Sequence, residues 1–280
     1  LAYRLLRLSR FRPRLLSLIL TGLPFFVSMA ATNDVALLTF VPFTLLLLEH
    51  VGCRKAVVPM LVLQTIAANL GSMATPVGNP QNLYLYSHFG IPDGEFVMIM
   101  LPPFLLAITL ITLCCFLIPK DPLQIRGERV ALPKGRTAIY MALFALAIII
   151  VFRGIPYWIG LIIIPIAMLF LDRQALKDVD YGLLSTFVLF FIFSGNLARI
   201  PAVQDFFGGL LEMNTLLVSV ISCQCISNVP TAILLSGFTE NYHDLLLGVN
   251  IGGAGTLIAS LASLITFREY TKHNPKKQGY

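Results

Sequence analysis

Residues 69–82 interrupt an apolar segment and read Asn69-Leu-Gly-Ser-Met-Ala-Thr-Pro-Val-Gly-Asn-Pro-Gln-Asn82. A weaker copy begins at Asn250 and reads Asn-Ile-Gly-Gly-Ala-Gly-Thr. At one constant offset the copies share an asparagine, a glycine and a threonine, which are Asn69, Gly71 and Thr75 in the first copy and Asn250, Gly252 and Thr256 in the second. Each copy also follows a second polar interruption, at residues 31–34 and 226–231. The fold therefore has to accommodate two broken segments in each half of the chain.

The composition is that of a polytopic membrane protein. Hydrophobic residues make up 57% of the 280 residues and charged residues only 12%, with a mean hydropathy of +0.82, which lies outside the range of soluble globular domains. Several apolar stretches approach the length of about 20 residues that a helix needs to cross the hydrocarbon core. The net charge of +6 is then explained by basic cytoplasmic loops rather than by nucleic-acid binding. The predicted class is an all-α, multi-pass protein of the lipid bilayer.

The basic residues predict which loops face the cytoplasm. The first half is predicted to contain a re-entrant hairpin at 15–48, a broken helix at 57–86 and a helix at 96–118, followed by a cytoplasmic linker at 119–136. The second half is predicted to contain helices at 137–152, 157–171 and 183–197, a hairpin at 211–238 and a broken helix at 244–267. This topology places every Lys and Arg except Arg153 and Arg199 on the cytoplasmic side. Treating either hairpin as a single crossing moves more basic residues outside.

The two hairpins enter from opposite sides in this topology, and each is followed by a broken transmembrane helix. That arrangement is typical of secondary transporters built from inverted repeats. Residues 1–118 are predicted to be the C-terminal part of the first repeat, and residues 137–280 are predicted to be the second repeat. Symmetry between the repeats predicts three further helices before Leu1 and one after Tyr280.

The broken segments carry residues suited to ion binding. Unwound backbone in a membrane needs partners from protein or from a watery cavity, and its carbonyl groups can hold a cation while helix N-termini can face an anion. Asn33, Asn69, Asn228 and Asn250 add amides that both donate and accept hydrogen bonds. The alternative is that the glycines and prolines serve only helix packing and kinks.

Asp34 is the ionisable residue best suited to a function, because a carboxylate at membrane depth is costly. It could bind a cation or shuttle a proton, or it could cap the helix that starts at Val35. No Lys or Arg is predicted deep in a span. An anion would therefore be held by Asn, Thr, Ser, helix ends and bound cations, and a neutral solute would fit equally well.

Four motifs in order resemble the ion transporter superfamily, which includes divalent anion/sodium symporters, citrate permeases and arsenite permeases. They are Thr-Asn-Asp at 32–34, the run at 69–82, Ser-Asn-Val-Pro-Thr at 227–231 and Asn-Ile-Gly-Gly at 250–253. The symporters carry Ser-Asn-Thr at both hairpin tips, so the tips of this chain indicate the arsenite and citrate permease side. The resemblance implies an elevator-type transporter, usually a homodimer, whose hairpin tips and broken-helix loops enclose the substrate and the coupling ions.

The resemblance also implies two cation sites beside a substrate site. The predicted cation-coupling residues are Ser28, Thr32, Asn33, Asp34, Asn69 and Gly78 in the first half and Ser227, Asn228, Ala259 and Ser260 in the second, where Cys223 occupies a further position of the mirrored site. The predicted substrate-binding residues are Thr32, Asn33, Asp34, Thr75, Pro76, Asn79, Asn82, Ser227, Asn228, Thr231, Asn250 and Thr256.

The sequence therefore predicts a secondary active transporter of a small anion in the inner (cytoplasmic) membrane. The anion is expected to be an inorganic oxyanion, arsenite or a di- or tricarboxylate, the coupling ion is sodium or a proton, and no cofactor is expected. Sodium/proton antiport is the main alternative, since Asp34 could exchange both ions. An intramembrane enzyme is disfavoured because the chain lacks motifs such as His-Glu-x-x-His and Gly-x-Ser-x-Gly. A membrane scaffold that transports nothing is a further alternative.

Overall fold

The computed structural model describes residues 13–50, 52–118, 155–177, 179, 181–197 and 199–273, together with single residues or pairs between 139 and 150. Two short 3-10 turns, Arg54–Ala56 and Pro76–Gly78, accompany the helices of this part of the chain. The helices are α1 Pro13–Ala31, α2 Asn33–His50, α3 Val57–Ser72, α4 Pro80–His88, α5 Asp93–Cys115, α6 Tyr157–Leu171, α7 Arg173–Lys177, α8 Tyr181–Leu197, α9 Pro201–Ile226, α10 Asn228–Leu235, α11 Tyr242–Gly253 and α12 Leu261–His273. This helical architecture agrees with the predicted all-α class. The predicted linker at 119–136 and most of the predicted helix at 137–152 lie outside the described residues.

Several helices carry the length and the surface of membrane spans. Among the described residues, the helices Arg14–Ala31 and Asp93–Cys115 are long and apolar enough to cross a bilayer, and Pro201–Ile226 has that length and composition across a break at Asn214. Helix α5 buries Phe96 and Met100 but leaves Met98 72% exposed and Leu106 60% exposed. An apolar face of this kind is suited to lipid rather than to water. The chain is therefore a polytopic membrane protein.

Helices α1 and α2 form an antiparallel hairpin that turns at Thr32, whose φ of +58° lies in the left-handed region. Gln64 of α3 contacts both arms of this hairpin. Its Nε2 donates to the carbonyl oxygen of Leu20 in α1 at 2.7 Å and to Oγ1 of Thr44 in α2 at 2.8 Å. Leu20 and Thr44 are each twelve residues from Thr32. The two arms therefore lie side by side at equal distances from the turn.

Helices α9 and α10 meet at a second turn of the same kind, at Ser227, whose φ is +74°. Thr32 and Ser227 are the non-glycine residues with positive φ in the described part of the chain. Helix α9 begins at Pro201, earlier than the start predicted for this hairpin at residue 211, and its backbone leaves the helical conformation at Asn214. The segment 201–213 is thus a separate helical piece that the charge pattern does not reveal, and 215–226 is the arm that reaches the turn.

The two broken helices have matching boundaries. Helix α3 ends at Ser72 and α4 begins at Pro80, whereas α11 ends at Gly253 and α12 begins at Leu261. Ser72 pairs with Gly253, and Pro80 with Leu261, at the same offset that relates Asn69 to Asn250. The helix boundaries therefore repeat at the same offset as the sequence.

Each broken helix packs closely against the first arm of its own hairpin through a glycine. A Cβ on Gly71 would lie 2.2 Å from the carbonyl oxygen of Phe25. A Cβ on Gly252 would lie 2.9 Å from Cβ of Cys223 and 3.1 Å from Cα of Val220. Glycine thus permits a close helix approach a few residues before each hairpin tip.

Hydrogen bonds join the two halves along their length. Oγ1 of Thr65 in α3 donates to Oγ1 of Thr266 in α12 at 2.7 Å, and the hydroxyl groups of Tyr84 in α4 and Ser236 are 2.8 Å apart. At the helix ends, His273 lies 3.0 Å from Glu49, and the Tyr242 hydroxyl donates to Glu95 at 2.5 Å. This last hydrogen bond to a carboxylate raises the pKa of Tyr242 above its ordinary value. The two halves form one structure around the broken segments.

Candidate functional site

A cavity of about 250 Å³ lies where four helices begin. Its lining includes the first residues of α2, α4, α10 and α12, which are Asn33 and Asp34, Pro80 and Gln81, Asn228 to Pro230, and Leu261. Helix N-termini carry partial positive charge and unpaired N–H groups. Among the residues described, the lining contains one carboxylate, that of Asp34, and no Lys or Arg. The partial positive charge of the helix N-termini can attract an anion to this cavity, which also contains the carboxylate of Asp34.

The first hairpin tip is held by a cluster of buried side chains centred on Asn69. Nδ2 of Asn33 donates to Oδ1 of Asn69 at 2.8 Å, and Oγ of Ser260 donates to the same oxygen at 3.0 Å. Oδ1 of Asn33 accepts from the backbone N–H of Asp34 at 2.9 Å, which caps the start of α2. Asn69 therefore connects the first tip to the loop of the second broken helix.

The second hairpin tip is held by the same loop. The backbone N–H of Asn228 donates to the carbonyl oxygen of Ala259 at 2.9 Å, and Oγ of Ser227 lies 3.3 Å from that oxygen. Oδ1 of Asn228 accepts from the N–H of Val229 at 2.9 Å, as Oδ1 of Asn33 does from the N–H of Asp34. Thr231 closes the turn by donating to the carbonyl oxygen of Ser227 at 2.7 Å. Both tips are thus helix starts that hydrogen bonds fix against the break.

The loop of the first broken helix is held by side chains on both sides of it. Oγ1 of Thr75 donates to the carbonyl oxygen of Met29 and accepts from the N–H of Gly78 at 3.1 Å. Nδ2 of Asn79 donates to Oγ of Ser72. Buried Asn82 donates to the Thr75 carbonyl at 3.2 Å and accepts from Nδ2 of Asn250 at 2.6 Å. Thr75 and Asn79 thus hold the unwound backbone in place, and Asn82 and Asn250 connect the two broken helices.

Two polar side chains at the cavity have buried atoms without hydrogen-bond partners among the described residues. Oδ1 of Asp34 is one such atom, and both Oε1 and Nε2 of Gln81 are others. The capping hydrogen bonds at the start of α2 come from Thr32 and Asn33, so Oδ1 of Asp34 is not used for capping. The sequence prediction named Asp34 but omitted Gln81, which is only 1% exposed. An uncharged polar residue beside a helix-starting proline in an apolar segment is the signal that could have identified it.

The structure brings together only part of the predicted site at this cavity. Asn33, Asp34, Ser227, Asn228 and Ser260 line it. The remaining predicted residues support the surrounding backbone or lie elsewhere: Ser28 donates to Phe25 within α1, Pro76 starts a buried 3-10 turn that ends at Gly78, Cys223 contacts the Val249 carbonyl, and Thr256 is exposed.

Thr256 belongs to a second, mainly apolar groove of about 350 Å³ between α3, α12 and the loop after α11. Its backbone N–H donates to Oε1 of Gln224 at 2.8 Å, while Nε2 of Gln224 donates to the Gly252 carbonyl at 2.9 Å. Gln224 thus connects this loop to α9, a contact that the sequence pattern does not predict. The sequence match between Thr75 and Thr256 does not extend to their surroundings.

The sequence is similar to a transporter family and to two known proteins over most of its length. Residues 1–262 match the sequence profile of a protein family described as citrate transporter. An uncharacterized transporter of Methanocaldococcus jannaschii is 32% identical over 250 residues, a match that covers 88% of this chain and 68% of that protein. The inner membrane protein YbiR of Escherichia coli is 33% identical over 247 residues, which covers 85% of this chain and 64% of that protein. The chain thus matches about two thirds of the length of these curated relatives.

Proposed function

Because this chain belongs to the citrate transporter family, we propose that it acts as a secondary active transporter that moves a small anion across the cytoplasmic membrane, coupled to sodium ions or protons. The predicted resemblance to the citrate permease side of the ion transporter superfamily is confirmed by the family match and by the relatives. The family and the Methanocaldococcus jannaschii relative are described as transporters, which supports transport rather than catalysis. The substrate, the coupling ion and the mechanism belong to the proposal.

The single observation that carries the proposal is the meeting of four helix N-termini at one cavity. Aligned peptide dipoles give each N-terminus about half a positive elementary charge, which favours a bound anion. The cavity lies between broken helices and hairpin tips, where unwound backbone can be satisfied by protein. These features support binding of a small anion without a Lys or Arg among the described lining residues.

The contacts between the broken helices support an inverted repeat. Thr65 of α3 contacts Thr266 of α12 on one side of the breaks, and Asn82 of α4 contacts Asn250 of α11 on the other. The first segment therefore runs from α3 to α4 in the direction opposite to the second, which runs from α11 to α12. Two such halves of opposite orientation, with a site between them, are suited to alternating access.

The depth of the hairpin tips supports re-entrant topology. Asn33 lies beside Asn69, at the break inside the first broken helix, and Asn228 lies beside Ala259, at the break inside the second. Helix α10 has 8 residues, about 12 Å at 1.5 Å per residue, which is far below the about 30 Å of a hydrocarbon core. Both tips are thus proposed to end within the membrane, one from each side.

Asp34 is the proposed coupling residue. Its Oδ1 is buried at the cavity without a partner among the described residues, and a carboxylate in that position needs a proton or a cation to balance its charge. Elevator-type movement, a homodimer and an inner-membrane location complete the proposal, with the location drawn from the Escherichia coli relative. Sodium/proton antiport is the second candidate, favoured by this same carboxylate.

The test is solute uptake by the full-length protein in proteoliposomes. Labelled citrate or arsenite is expected to enter faster than in protein-free liposomes, and an inward sodium or proton gradient should increase the initial rate. Failure of both solutes under both gradients would contradict anion transport. Proton movement driven by sodium with no anion present would instead support the antiporter.

A further inference from the structure

We propose that Gln81 is a substrate-recognition residue, and that the group it binds carries both a hydrogen-bond donor and a hydrogen-bond acceptor. This inference rests on the proposed transport function and deepens it. Gln81 is the second residue of α4, lines the cavity and is 1% exposed. It lies on a helix rather than in a loop, so its position is set by the packing of α4.

Other polar side chains at the cavity already hold the fold through some of their atoms. Nδ2 of Asn33 donates to Asn69, and the Oδ1 atoms of Asn33 and Asn228 accept from the N–H groups of Asp34 and Val229. Ser260 donates to Asn69 and accepts from the N–H of Ala262 at 3.2 Å. A solute that bound to the oxygen atoms of these groups would compete with hydrogen bonds that fix the tips. These bonds give the three residues a positioning role in this arrangement.

Gln81 differs from Gln64 and Gln224, each of which has at least one polar atom bonded within the protein. Nε2 of Gln64 joins both arms of the first hairpin, while its Oε1 has no partner among the described residues. Gln224 uses both of its polar atoms to join α9 to the last turn of α11 and to the loop after it. Both polar atoms of Gln81 lack a partner among the described residues. A buried polar atom without a hydrogen bond costs about 1–3 kcal/mol, and a bound solute that faces the cavity can remove that cost.

The two ends of the Gln81 side chain define the solute group. Nε2 donates, so it requires an acceptor oxygen, and Oε1 accepts, so it requires an N–H or O–H on the solute. A protonated oxyacid or a carboxylic acid group offers an oxygen and a hydroxyl side by side. A fully ionised carboxylate or phosphate offers acceptors alone and leaves Oε1 without a partner.

The charges at the cavity favour the same class of solute. The four helix N-termini give the cavity partial positive charge, while Asp34, the one carboxylate among its described lining residues, opposes a multiply charged anion. No Lys or Arg among the described lining residues offsets this carboxylate. The substrate form expected at Gln81 is an oxyacid that is neutral or singly charged and retains a hydroxyl group.

The test measures thermal unfolding of the purified full-length protein with increasing arsenite, inorganic phosphate or citrate. Gln81→Met keeps the side-chain length and removes both polar atoms, and Gln64→Met is the matched control at a glutamine bonded within the fold. Without solute, Gln81→Met should unfold at or above the wild-type temperature, because no hydrogen bond within the protein is lost. It should need about tenfold more of the effective probe for the same shift, equivalent to about 1.4 kcal/mol of binding free energy.

Gln64→Met should behave in the opposite way, with a lower unfolding temperature and an unchanged dependence on the probe. The inference is overturned if Gln81→Met responds to the probe as wild type does, or if it unfolds at a lower temperature without solute, since Gln81 would then have a structural partner. If no probe shifts the wild-type protein, anion binding and with it the proposed function is contradicted. The unfolding temperature without solute still decides whether Gln81 is bonded within the fold.

Discussion

At the scale of single residues, the site is built from side chains that are already paired and a few that are not. Asn69 accepts from Asn33 and Ser260, so one amide oxygen fixes the first tip against the opposite half of the molecule. Asp34 and Gln81 supply the unpartnered atoms at the cavity. The paired residues set geometry, and the unpaired ones are left for solute and ion.

We expect Asn69→Ala to destabilise the protein, because it leaves the buried donors of Asn33 and Ser260 without an acceptor. Each orphaned group costs about 1–3 kcal/mol. The control is Asn196→Ala, at an exposed asparagine that bonds only to its own helix in the described contacts. Thermal unfolding in detergent measures both, and equal unfolding temperatures for the two variants would contradict a joining role for Asn69.

We expect Asp34→Asn to remove the dependence of uptake on the coupling gradient while solute exchange between the two sides continues. The amide cannot take up a proton or balance a cation as the carboxylate does. Uptake and counterflow in proteoliposomes separate the two effects. Asp244→Asn, at an exposed carboxylate in the first turn of α11, should retain gradient-driven uptake, and a variant at position 34 that does the same would exclude Asp34 from coupling.

At the scale of elements, the backbone breaks lie within the two repeated stretches of the sequence. Glycine and proline end helices through local backbone conformation, which the sequence shows directly. The helix boundaries at the breaks, between α3 and α4 and between α11 and α12, therefore match at the same offset as the two sequence stretches. Packing between distant elements decides which polar side chains remain without hydrogen-bond partners, and a sequence pattern does not contain this information. The sequence therefore does not distinguish Gln81 as a cavity residue, and it does not exclude Thr256 from the cavity. The helical segment at 201–213 carries no Lys or Arg, so a topology based on basic residues could not detect it.

We expect Gly71→Ala to push α1 and α3 apart, because the added methyl group meets the backbone of Phe25 at 2.2 Å. Overpacking of this kind costs about 1–3 kcal/mol. Gly22→Ala is the control, since nothing lies within 4 Å of the added atom and alanine favours a helix interior by about 1 kcal/mol relative to glycine. The unfolding temperature should fall for the first variant and hold or rise for the second; the reverse order would contradict the close packing.

At the scale of the whole molecule, the matching turns at Thr32 and Ser227 and the opposed directions of the broken helices support two halves of opposite orientation. The halves differ in the length of the second hairpin arm: α2 has 18 residues, whereas α10 has 8. The first hairpin therefore has a much longer second arm, which contacts α12 at its far end through Glu49 and His273. The repeat is closest around the cavity and diverges away from it.

We expect the segments that follow the two hairpins to lie on opposite sides of the membrane. Lys55→Cys and Glu240→Cys mark these segments, in a background whose five native cysteines are replaced by alanine. A membrane-impermeant maleimide should label the first variant only in inside-out vesicles and the second only in right-side-out vesicles. Labelling of both from one side would contradict an inverted arrangement of the hairpins.

The short helix α10 has a consequence for how the chain is inserted during synthesis. Eight residues are too few to be recognised as an independent span, so the membrane-insertion machinery cannot release α10 into lipid alone. Ser236, the residue directly after α10, contacts the Tyr84 hydroxyl of α4. Helix α4 leaves the ribosome long before α10 does. The docking surface therefore exists when α10 emerges, and the order of synthesis allows the earlier half to act as the template on which the later hairpin enters the membrane.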